Sequence, residues 1–248
     1  MTIKQFWIDP YLSRHLTCVA SVADSDVTLR STIFFAFSGG QESDQGTIAG
    51  YPVLRAQAEG TAIVHTLPEG HGLAAGQTVE VEIDWTRRYR LMRLHFAAEL
   101  VLELFYRALP GVGKIGAHIA QDKARIDFAW PESISPRLAG IASAANAIVQ
   151  ADLVITSAFE DMANERRYWQ IDGFARVPCG GTHVRRTGEV GARKAHRNSD
   201  MFCKQRQTAA LGKQEIPVET CVRIEDFPFT VTLGAAGGTQ FVRAFLQQ

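Results

Sequence analysis

The segment TRRYRLMRLHFAAELVLELFYRA, residues 86–108, decides the fold because its apolar side chains recur at the spacing of one helical face. Pro110 and Gly111 follow it after one intervening residue, and such a pair ends helices. The spacing therefore predicts one long helix over residues 86–108. The apolar positions on its inward face are Leu91, Leu94, Ala98, Val101, Leu102 and Phe105.

The residues on the N-terminal side of this helix have the composition of short β-strands. Runs of β-branched and aromatic residues alternate with Gly, Pro and an Asp-Ser-Asp turn at 24–26. Five or six short strands in a segment of this length form a small barrel or a curled sheet. The predicted strands are 17–22, 28–35, 53–57, 61–66 and 79–83.

On the C-terminal side of the helix, helical and extended segments follow without a regular alternation. Ser135 and Pro136 are typical of a helical N-cap and first turn, which predicts a second helix to about Gln150. Because helices and strands do not alternate in a βαβ pattern, the predicted fold class is α+β rather than a parallel sheet. Extended segments are predicted near 126–130, 153–158, 174–178 and 187–193.

The charge distribution divides the chain near Asp84. Among 248 residues, 26 basic and 26 acidic side chains cancel, which argues against a small, strongly basic nucleic-acid module. Residues 1–84 nevertheless carry a net charge of −6, and residues 85–248 carry +6, most of it within 185–213. This contrast predicts two domains, a β-barrel over 1–84 and an α+β domain over 85–248 that contains the long helix.

The sequence has no pattern of a membrane, secreted or disulfide-rich protein. No run approaches the roughly 18 apolar residues of a membrane span. The opening MTIKQFWIDPYL does not have the basic start and apolar centre of a signal peptide. The four cysteines contain no CxxC pair, so a disulfide framework is not expected. These features predict a cytoplasmic protein without a membrane partner.

His95 and Glu99 are the first candidate site residues, four positions apart on the long helix. This spacing places both side chains on one helical face, where they could approach one metal ion or one substrate group. The polar edge of an ordinary amphipathic helix has the same pattern. For this pair taken alone, the polar edge is the more common explanation.

The second candidate segment is VPCGGTH, residues 177–183. Cys179 and His183 supply the sulfur and nitrogen donors that zinc prefers. Gly180 and Gly181 between them allow a tight turn that exposes backbone N–H groups to an anion or a carbonyl. A glycine turn with an unrelated Cys and His is the alternative.

Together the two segments offer four ligands, which is enough for a tetrahedral zinc site. The predicted metal ligands are His95, Glu99, Cys179 and His183. If all four bind, the site is closed, as structural zinc sites are. In a catalytic site Glu99 would be a weak or displaced ligand, or would stay unbound and act as general base on a zinc-held water. The sequence therefore predicts one Zn²⁺ per chain and leaves the role of Glu99 open.

Several motifs, taken in order, resemble the editing domain of alanyl-tRNA synthetase and the freestanding alanyl-tRNA editing proteins. PCGGTHVRRTGEVG (178–191) is similar to the family signature CGGTHV…TGEIG, and FSGGQESDQGTI (37–48) is similar to its glycine motif GGGQPSDTGTI. IDWTRRYRLMRLHFAAEL (83–100) resembles the stretch ID…RR…M..HTATHLL, which carries the family's first two zinc ligands. FWIDPYL (6–12) and IGAHIAQDKARIDF (115–128) also match in order, so the resemblance runs from about residue 6 to 193.

The resemblance implies a hydrolase that removes a wrong amino acid from tRNA, usually serine or glycine from alanine tRNA. It also implies a small N-terminal β-barrel, an α+β editing domain, and a metal at the four ligands named above. Gly39, Gly40 and Gln41 of the glycine motif would close over the 3′ end. Two departures stand out, since Glu99 occupies the position of a His and Phe96 that of a Thr.

The leading hypothesis is a zinc-dependent aminoacyl-tRNA deacylase that acts in trans on the acceptor end of mischarged tRNA. In this hypothesis Gly180, Gly181 and Thr182 offer backbone N–H groups to the substrate carbonyl or the developing oxyanion. Glu99 then has a catalytic role as fourth ligand or base.

Arg185 and Arg186 directly follow the CGGTH turn, which makes them candidates for tRNA phosphate contact, although most such pairs are simply solvated. The His-to-Glu departure motivates an alternative, a non-catalytic tRNA- or partner-binding protein on a degenerate editing fold. A zinc hydrolase of a small-molecule ester is a third hypothesis. The sequence leaves open the amino acid removed, the oligomeric state and the role of residues 192–248.

Overall fold

The computed structural model describes residues 1–131, 134–191, 221–222, 229–236 and 239–246. Most of the basic cluster predicted within 185–213 therefore lies outside the described residues. The helices are α1 (Gln5–Ile8), α2 (Trp85–Ala108), α3 (Ser135–Gln150) and α4 (Gly188–Gly191). The strands are β1 (Ile3–Lys4), β2 (Arg14–Ala23), β3 (Asp26–Leu29), β4 (Ser31–Thr32), β5 (Gly46–Ile48), β6 (Tyr51–Pro52), β7 (Arg55–Glu59), β8 (Ala62–Thr66), β9 (Thr78–Ile83), β10 (Gly113–Ile119), β11 (Lys123–Ala129), β12 (Thr156–Asp161), β13 (Arg166–Ile171), β14 (Ala175–Pro178), β15 (Cys221–Val222), β16 (Phe229–Ala236) and β17 (Thr239–Leu246).

The described strands form mainly antiparallel sheets, which together with the helices give the mixed α and β architecture that the sequence predicts. The largest is a seven-stranded antiparallel sheet in the order β6-β5-β9-β2-β3-β8-β7. A five-stranded sheet has the order β10-β11-β17-β16-β15, and a three-stranded sheet has the order β12-β13-β14. The short strands β1 and β4 pair in parallel.

Strand β2 explains why the seven-stranded sheet curls into a half-barrel. Its residues 14–18 pair with β9, whereas Val19 and the residues after it pair with β3 across a register shift between Val19 and Ser21. A shift of this kind bends a strand and increases its twist. The turn predicted at 24–26 joins β2 to β3, and Asp24 adopts a positive φ of 53° there. A separate N-terminal barrel domain stays a prediction.

The long helix predicted over 86–108 is confirmed as α2, which begins one residue earlier at Trp85. The Asp84 side chain caps it by accepting a hydrogen bond of 3.0 Å from the backbone N–H of Arg87. All six predicted inward positions are buried, and the helix packs against α3, β10 and β11. Burial on most of its surface holds the orientation of α2, and with it the orientation of the site residues that it carries.

A fully buried ion pair fastens the half-barrel to α2. The Arg88 guanidinium contacts both carboxylate oxygens of Asp44, and its Nε lies 2.9 Å from Asp44 Oδ1. The same guanidinium donates to the backbone carbonyls of Pro10 (2.9 Å) and Ile33 (2.6 Å), so every charged group in the contact has partners. Removing one member would leave the other charge buried and unpaired, which is strongly destabilising. The glycine-motif loop that contains Asp44 is therefore held in register with the long helix.

Two sequence predictions need correction. The strand predicted at 187–193 is wrong, because the described part of that segment forms α4 instead. The Glu189 side chain accepts hydrogen bonds from the backbone N–H groups of Arg185 (2.9 Å) and Arg186 (3.0 Å), which folds the chain into a turn there. The second helix begins at Ser135 with Ile134 as its N-cap, one residue before the predicted position.

No described helix combines the length and the apolar character that a membrane crossing requires.

Candidate metal centre

The structure brings together the four predicted ligands from two distant parts of the chain. His95 and Glu99 lie one turn apart on α2, and Cys179 and His183 lie in the turn that follows β14. One potential ligand atom from each of the four side chains lies within 4.8 Å of the other three. The four donor atoms are therefore close enough to bind one ion, as the spacing of His95 and Glu99 on one helical face and the CxxxH spacing of the other two predict.

The contacts within the group orient its donor atoms toward one another. His95 Nε2 lies 3.3 Å from Cys179 Sγ and 3.5 Å from Glu99 Oε1. The other carboxylate oxygen of Glu99 accepts a hydrogen bond from the Trp169 indole N–H. His183 Nδ1 lies 3.2 Å from the Ser157 hydroxyl oxygen, which leaves Nε2 as its free donor atom. Such outer contacts fix ring orientation and tautomer in metal sites.

One atom tests whether these residues fit a metal. His183 Nε2 is buried and has no hydrogen-bond partner in the described part of the chain. A buried polar atom without a partner costs about 1–3 kcal/mol, and a bound ion is one way in which a structure avoids that cost. Two imidazole nitrogens, one thiolate and one carboxylate are a donor set that zinc accepts. The residues therefore fit the predicted ion.

The electrostatics of the centre favour deprotonated ligands. Burial raises the pKa of Cys179, but the charges of His95 and His183 have a larger combined effect in the opposite direction. The pKa of Cys179 is therefore lowered to about 6. Burial also raises the pKa of Glu99, whereas the hydrogen bond and charge of His95 lower it to about 2. Burial lowers the pKa of His95, and its anionic neighbours Cys179 and Glu99 raise it to about 10. A metal would thus find an anionic thiolate and carboxylate, and would have to displace a proton from His95.

The CGGTH turn packs directly on the His95 ring. A Cβ atom added at Gly181 would lie 2.4 Å from His95 Cε1, so no other residue fits there without displacing a ligand. The backbone N–H of Gly181 donates to Cys179 Sγ at 3.4 Å. Thr182 is buried, and its hydroxyl oxygen accepts a hydrogen bond of 3.2 Å from Gln41 Nε2.

The glycine motif reaches the centre through Gln41. Gly39 and Gly40 adopt positive φ angles of 60° and 86°, which glycine tolerates best. A Cβ at Gly40 would lie 2.4 Å from the carbonyl oxygen of Ala117, so the loop also needs glycine for its close approach to β10. Gln41 is fully buried beside Thr182, whereas Gly39 is exposed.

The two arginines after the turn lie at the surface rather than among the ligands. Arg185 pairs with Asp9 (3.0 Å) and stacks over the Tyr11 ring, and Arg186 pairs with Asp152 (2.8 Å). Both side chains stay about half exposed or more. A phosphate could therefore compete for either arginine at little cost, because exposed ion pairs contribute about 0–1 kcal/mol.

A cavity in the described part of the chain adjoins the metal centre. It encloses about 150 Å³, and its lining includes Trp7, Ser157, Arg167 and His183. Another cavity, of about 400 Å³, is an open, mainly apolar groove between α2 and α3, and its lining includes none of the four ligands. The cavity beside His183 therefore has a predicted metal ligand in its wall.

Four residues at this site lie outside the set of site residues predicted from the sequence. Ser157 and Trp169 hold His183 and Glu99 from β12 and β13, and Trp7 and Arg167 contact the CGGTH turn. Alternation in β13 could have indicated that Arg167 and Trp169 share a buried face, but it could not have identified their partners. Phe96, the departure from Thr, is fully buried against the rings of Trp169 and His183, with centroids 5.2 and 6.3 Å away.

Comparison with known proteins gives relatives of two kinds. The chain is 35% identical over 211 residues to the alanyl-tRNA editing protein AlaX-M of Pyrococcus horikoshii, covering 83% of this chain and 96% of that protein. It is 29% identical to AlaX-M of Methanosarcina barkeri, over 77% of this chain and 90% of that protein. It is also 33% identical to the alanine–tRNA ligase of Ignicoccus hospitalis, but spans only 24% of that longer protein. No family model matches the chain.

Proposed function

The chain belongs to the family of alanyl-tRNA editing proteins, and from this premise we propose that it deacylates mischarged tRNA in trans. The reaction breaks the ester bond between the aminoacyl carbonyl and the terminal ribose oxygen, and water supplies the new hydroxyl and the proton. The proposed substrate is alanine tRNA that carries serine or glycine. The observation that carries this proposal is the four-ligand cluster. It occurs in a chain that matches 96% of the length of AlaX-M from Pyrococcus horikoshii.

We propose that His95, Glu99, Cys179 and His183 hold one zinc ion per chain. Bound zinc would supply Lewis acidity, either polarising the ester carbonyl or lowering the pKa of a water molecule. The residues of the chain arrange the site for this chemistry. Ser157 holds the His183 ring so that its Nε2 remains available, and Gly181 leaves room for the His95 ring.

The contacts of Glu99 favour a ligand over a general base. One of its carboxylate oxygens accepts from the Trp169 indole, and the other faces His95 within the cluster. We therefore propose that Glu99 is the fourth ligand, at the position where the family pattern has His.

The turn over Gly180, Gly181 and Thr182 is proposed to stabilise the developing oxyanion through its backbone N–H groups other than that of Gly181, which donates to Cys179 Sγ. Gly39, Gly40 and Gln41 are proposed to close over the tRNA 3′ end, which the contact between Gln41 and buried Thr182 supports.

The proposed domains are a barrel-type unit over 1–84 and an editing domain over 85–248. Two separate hydrophobic clusters, within residues 19–83 and 91–190, support this division. A cytoplasmic location is part of the same proposal, consistent with free thiols at Cys18 and Cys179.

A panel of charged tRNAs tests the function. Alanine tRNA carrying serine, glycine or alanine is incubated with the protein as purified, with a chelator, and with zinc restored. We expect hydrolysis of the seryl or glycyl species, sparing of the alanyl species, loss with the chelator and recovery with zinc. Hydrolysis that persists without metal would contradict the role of the centre.

The Glu99 departure favours one alternative, a binding protein that holds tRNA without hydrolysing it. Stoichiometric metal and tight tRNA binding, with no release of any amino acid across the panel, would support this alternative over the deacylase.

Neutralising Arg185 and Arg186 together tests the proposed tRNA surface. The variant Arg185→Gln/Arg186→Gln should bind tRNA more weakly, and the log–log salt slope of binding should fall by roughly 0.7–0.9 per lost phosphate contact. Binding is measured by filter retention across a salt series. Metal content should not change.

The matched control for this pair is Arg14→Gln/Arg176→Gln, which also removes two exposed arginines from surface ion pairs. If both double variants give the same affinity and slope as the unaltered protein, Arg185 and Arg186 are a solvated surface.

A further inference from the structure

Two side chains from outside the CGGTH turn bind its consecutive glycine carbonyls. The Trp7 indole N–H donates to the carbonyl oxygen of Gly180 at 2.7 Å. The Arg167 guanidinium donates to the carbonyl oxygen of Gly181 at 3.3 Å. Trp7 belongs to α1 near the N-terminus and Arg167 to β13, so the contacts come from different parts of the chain.

These two contacts fix the directions of the next two N–H groups. In a planar trans peptide the carbonyl and the following N–H point in opposite directions. The Gly180 carbonyl turned toward Trp7 therefore directs the Gly181 N–H the other way, where it donates to Cys179 Sγ at 3.4 Å. The Gly181 carbonyl turned toward Arg167 likewise directs the Thr182 N–H away from Arg167. Within the described part of the chain this Thr182 N–H has no hydrogen-bond partner.

Arg167 is built into this position rather than resting on the surface. It is 5% exposed, and its guanidinium lies 5.5 and 5.3 Å from the ring centroids of Trp7 and Phe159. Its second terminal nitrogen donates to the backbone carbonyl of Trp7 at 3.0 Å, which links the two donors. Its own backbone carbonyl accepts from the N–H of Cys179 at 2.9 Å, at the start of the turn. Arg167 therefore contacts the turn at its start through the backbone and at Gly181 through the side chain.

We propose that Trp7 and Arg167 are positioning residues that orient the CGGTH peptides for catalysis. By binding the Gly180 and Gly181 carbonyls, they keep one N–H on the Cys179 sulfur and leave the Thr182 N–H for the oxyanion. Glycine peptides have more conformational freedom than others, so without these donors the two N–H groups would be held less firmly in direction. The inference rests on the proposed deacylase function and adds the residues that preorganise its oxyanion donor.

Trp7→Phe is the sharpest test, because it keeps an aromatic ring beside Phe159 and Arg167 and removes the indole donor. Arg167→Met removes both guanidinium contacts with a side chain of similar length, and Arg166→Met, an exposed neighbour on β13, is the matched control. Loss of an oxyanion donor costs about 10²–10³-fold in kcat, so misorientation should lower kcat by roughly 10- to 100-fold. KM and zinc content should stay near those of the unaltered protein, as should all values for Arg166→Met.

Cobalt substitution supplies a readout that does not depend on activity. We expect Trp7→Phe to bind one Co²⁺ with a shifted thiolate-to-cobalt absorption band, because the N–H bond to Cys179 Sγ is disturbed. An unchanged kcat together with an unchanged band in Trp7→Phe would overturn the proposal, as would loss of kcat explained wholly by loss of metal. If the unaltered protein hydrolyses no charged tRNA, the proposed function fails, and the cobalt band alone then decides whether Trp7 orients the turn.

Discussion

Cys179→Ala is expected to lose most of the bound zinc while the protein remains folded. The thiolate is the softest donor of the four and the one that zinc binds most strongly. Its removal also leaves His95 and His183 facing each other, with ring centroids 5.1 Å apart. Glu99 is then the one anionic ligand of the group that can offset the charge of a metal ion. Metal analysis after gentle purification should give near-stoichiometric zinc for the unaltered protein and little for the variant. Deacylation of mischarged tRNA should fall with it.

Cys18→Ala is the matched control, because Cys18 is a free thiol on β2 whose sulfur lies 3.8 Å from the Thr78 hydroxyl oxygen and outside the metal centre. It should keep full zinc content and activity, which separates loss of a ligand from loss of any thiol. Zinc content equal in Cys179→Ala and the unaltered protein would exclude Cys179 from the metal site. Circular dichroism of both variants checks that the fold is intact.

The parts of the structure that local sequence determines could be predicted. Helix α2 follows from its apolar spacing and its cap at Asp84, and the half-barrel follows from short β-rich runs between turns. The pairing of His95 with Glu99 follows from helical geometry alone. Cys179 and His183 could be added to the same group from their donor chemistry and the ligand count of zinc, and the family resemblance supports that grouping, whereas no local spacing connects positions 84 residues apart.

The parts that depend on long-range contacts could not be predicted. Arg88 lies in a run of arginines that suggests a solvated face, yet it is fully buried because Asp44 from the glycine motif neutralises it. Trp169 and Arg167 belong to a strand that the sequence did not indicate, and their importance comes from partners on α2 and in the turn. The segment after Thr187 folds as α4 rather than a strand because Glu189 binds the backbone N–H groups of Arg185 and Arg186.

The acidic partners of Arg185 and Arg186 also depend on long-range contacts. Arg185 and Arg186 are part of the basic excess, yet each has an acidic partner, Asp9 from the acidic N-terminal part and Asp152 after α3. Counting charges along the chain does not reveal such pairs. Binding of tRNA at this surface would exchange an exposed carboxylate partner for a phosphate.

Glu99→Ala is expected to lower deacylation by at least about 10²-fold, the lower end of the range of about 10²–10⁴-fold for loss of a catalytic acid or base. Alanine removes a ligand and leaves the Trp169 indole N–H without its acceptor. Glu99→His restores the residue of the family pattern and supplies a nitrogen ligand from the same helical face, so it should retain far more activity and zinc than Glu99→Ala. Single-turnover hydrolysis of seryl alanine tRNA, with zinc content measured on the same samples, checks both expectations.

Two further variants separate the possible roles of Glu99. Glu99→Gln keeps the shape and an oxygen acceptor for Trp169 but removes the negative charge, so a ligand role predicts weaker zinc binding with activity partly restored by excess zinc. A general-base role predicts full zinc content with activity that zinc cannot restore. Glu103→Ala, one turn further along α2 and outside the cluster, is the matched control and should change neither quantity. Activity and zinc content near those of the unaltered protein in both Glu99→Ala and Glu99→His would reduce Glu99 to a polar residue at the edge of the centre.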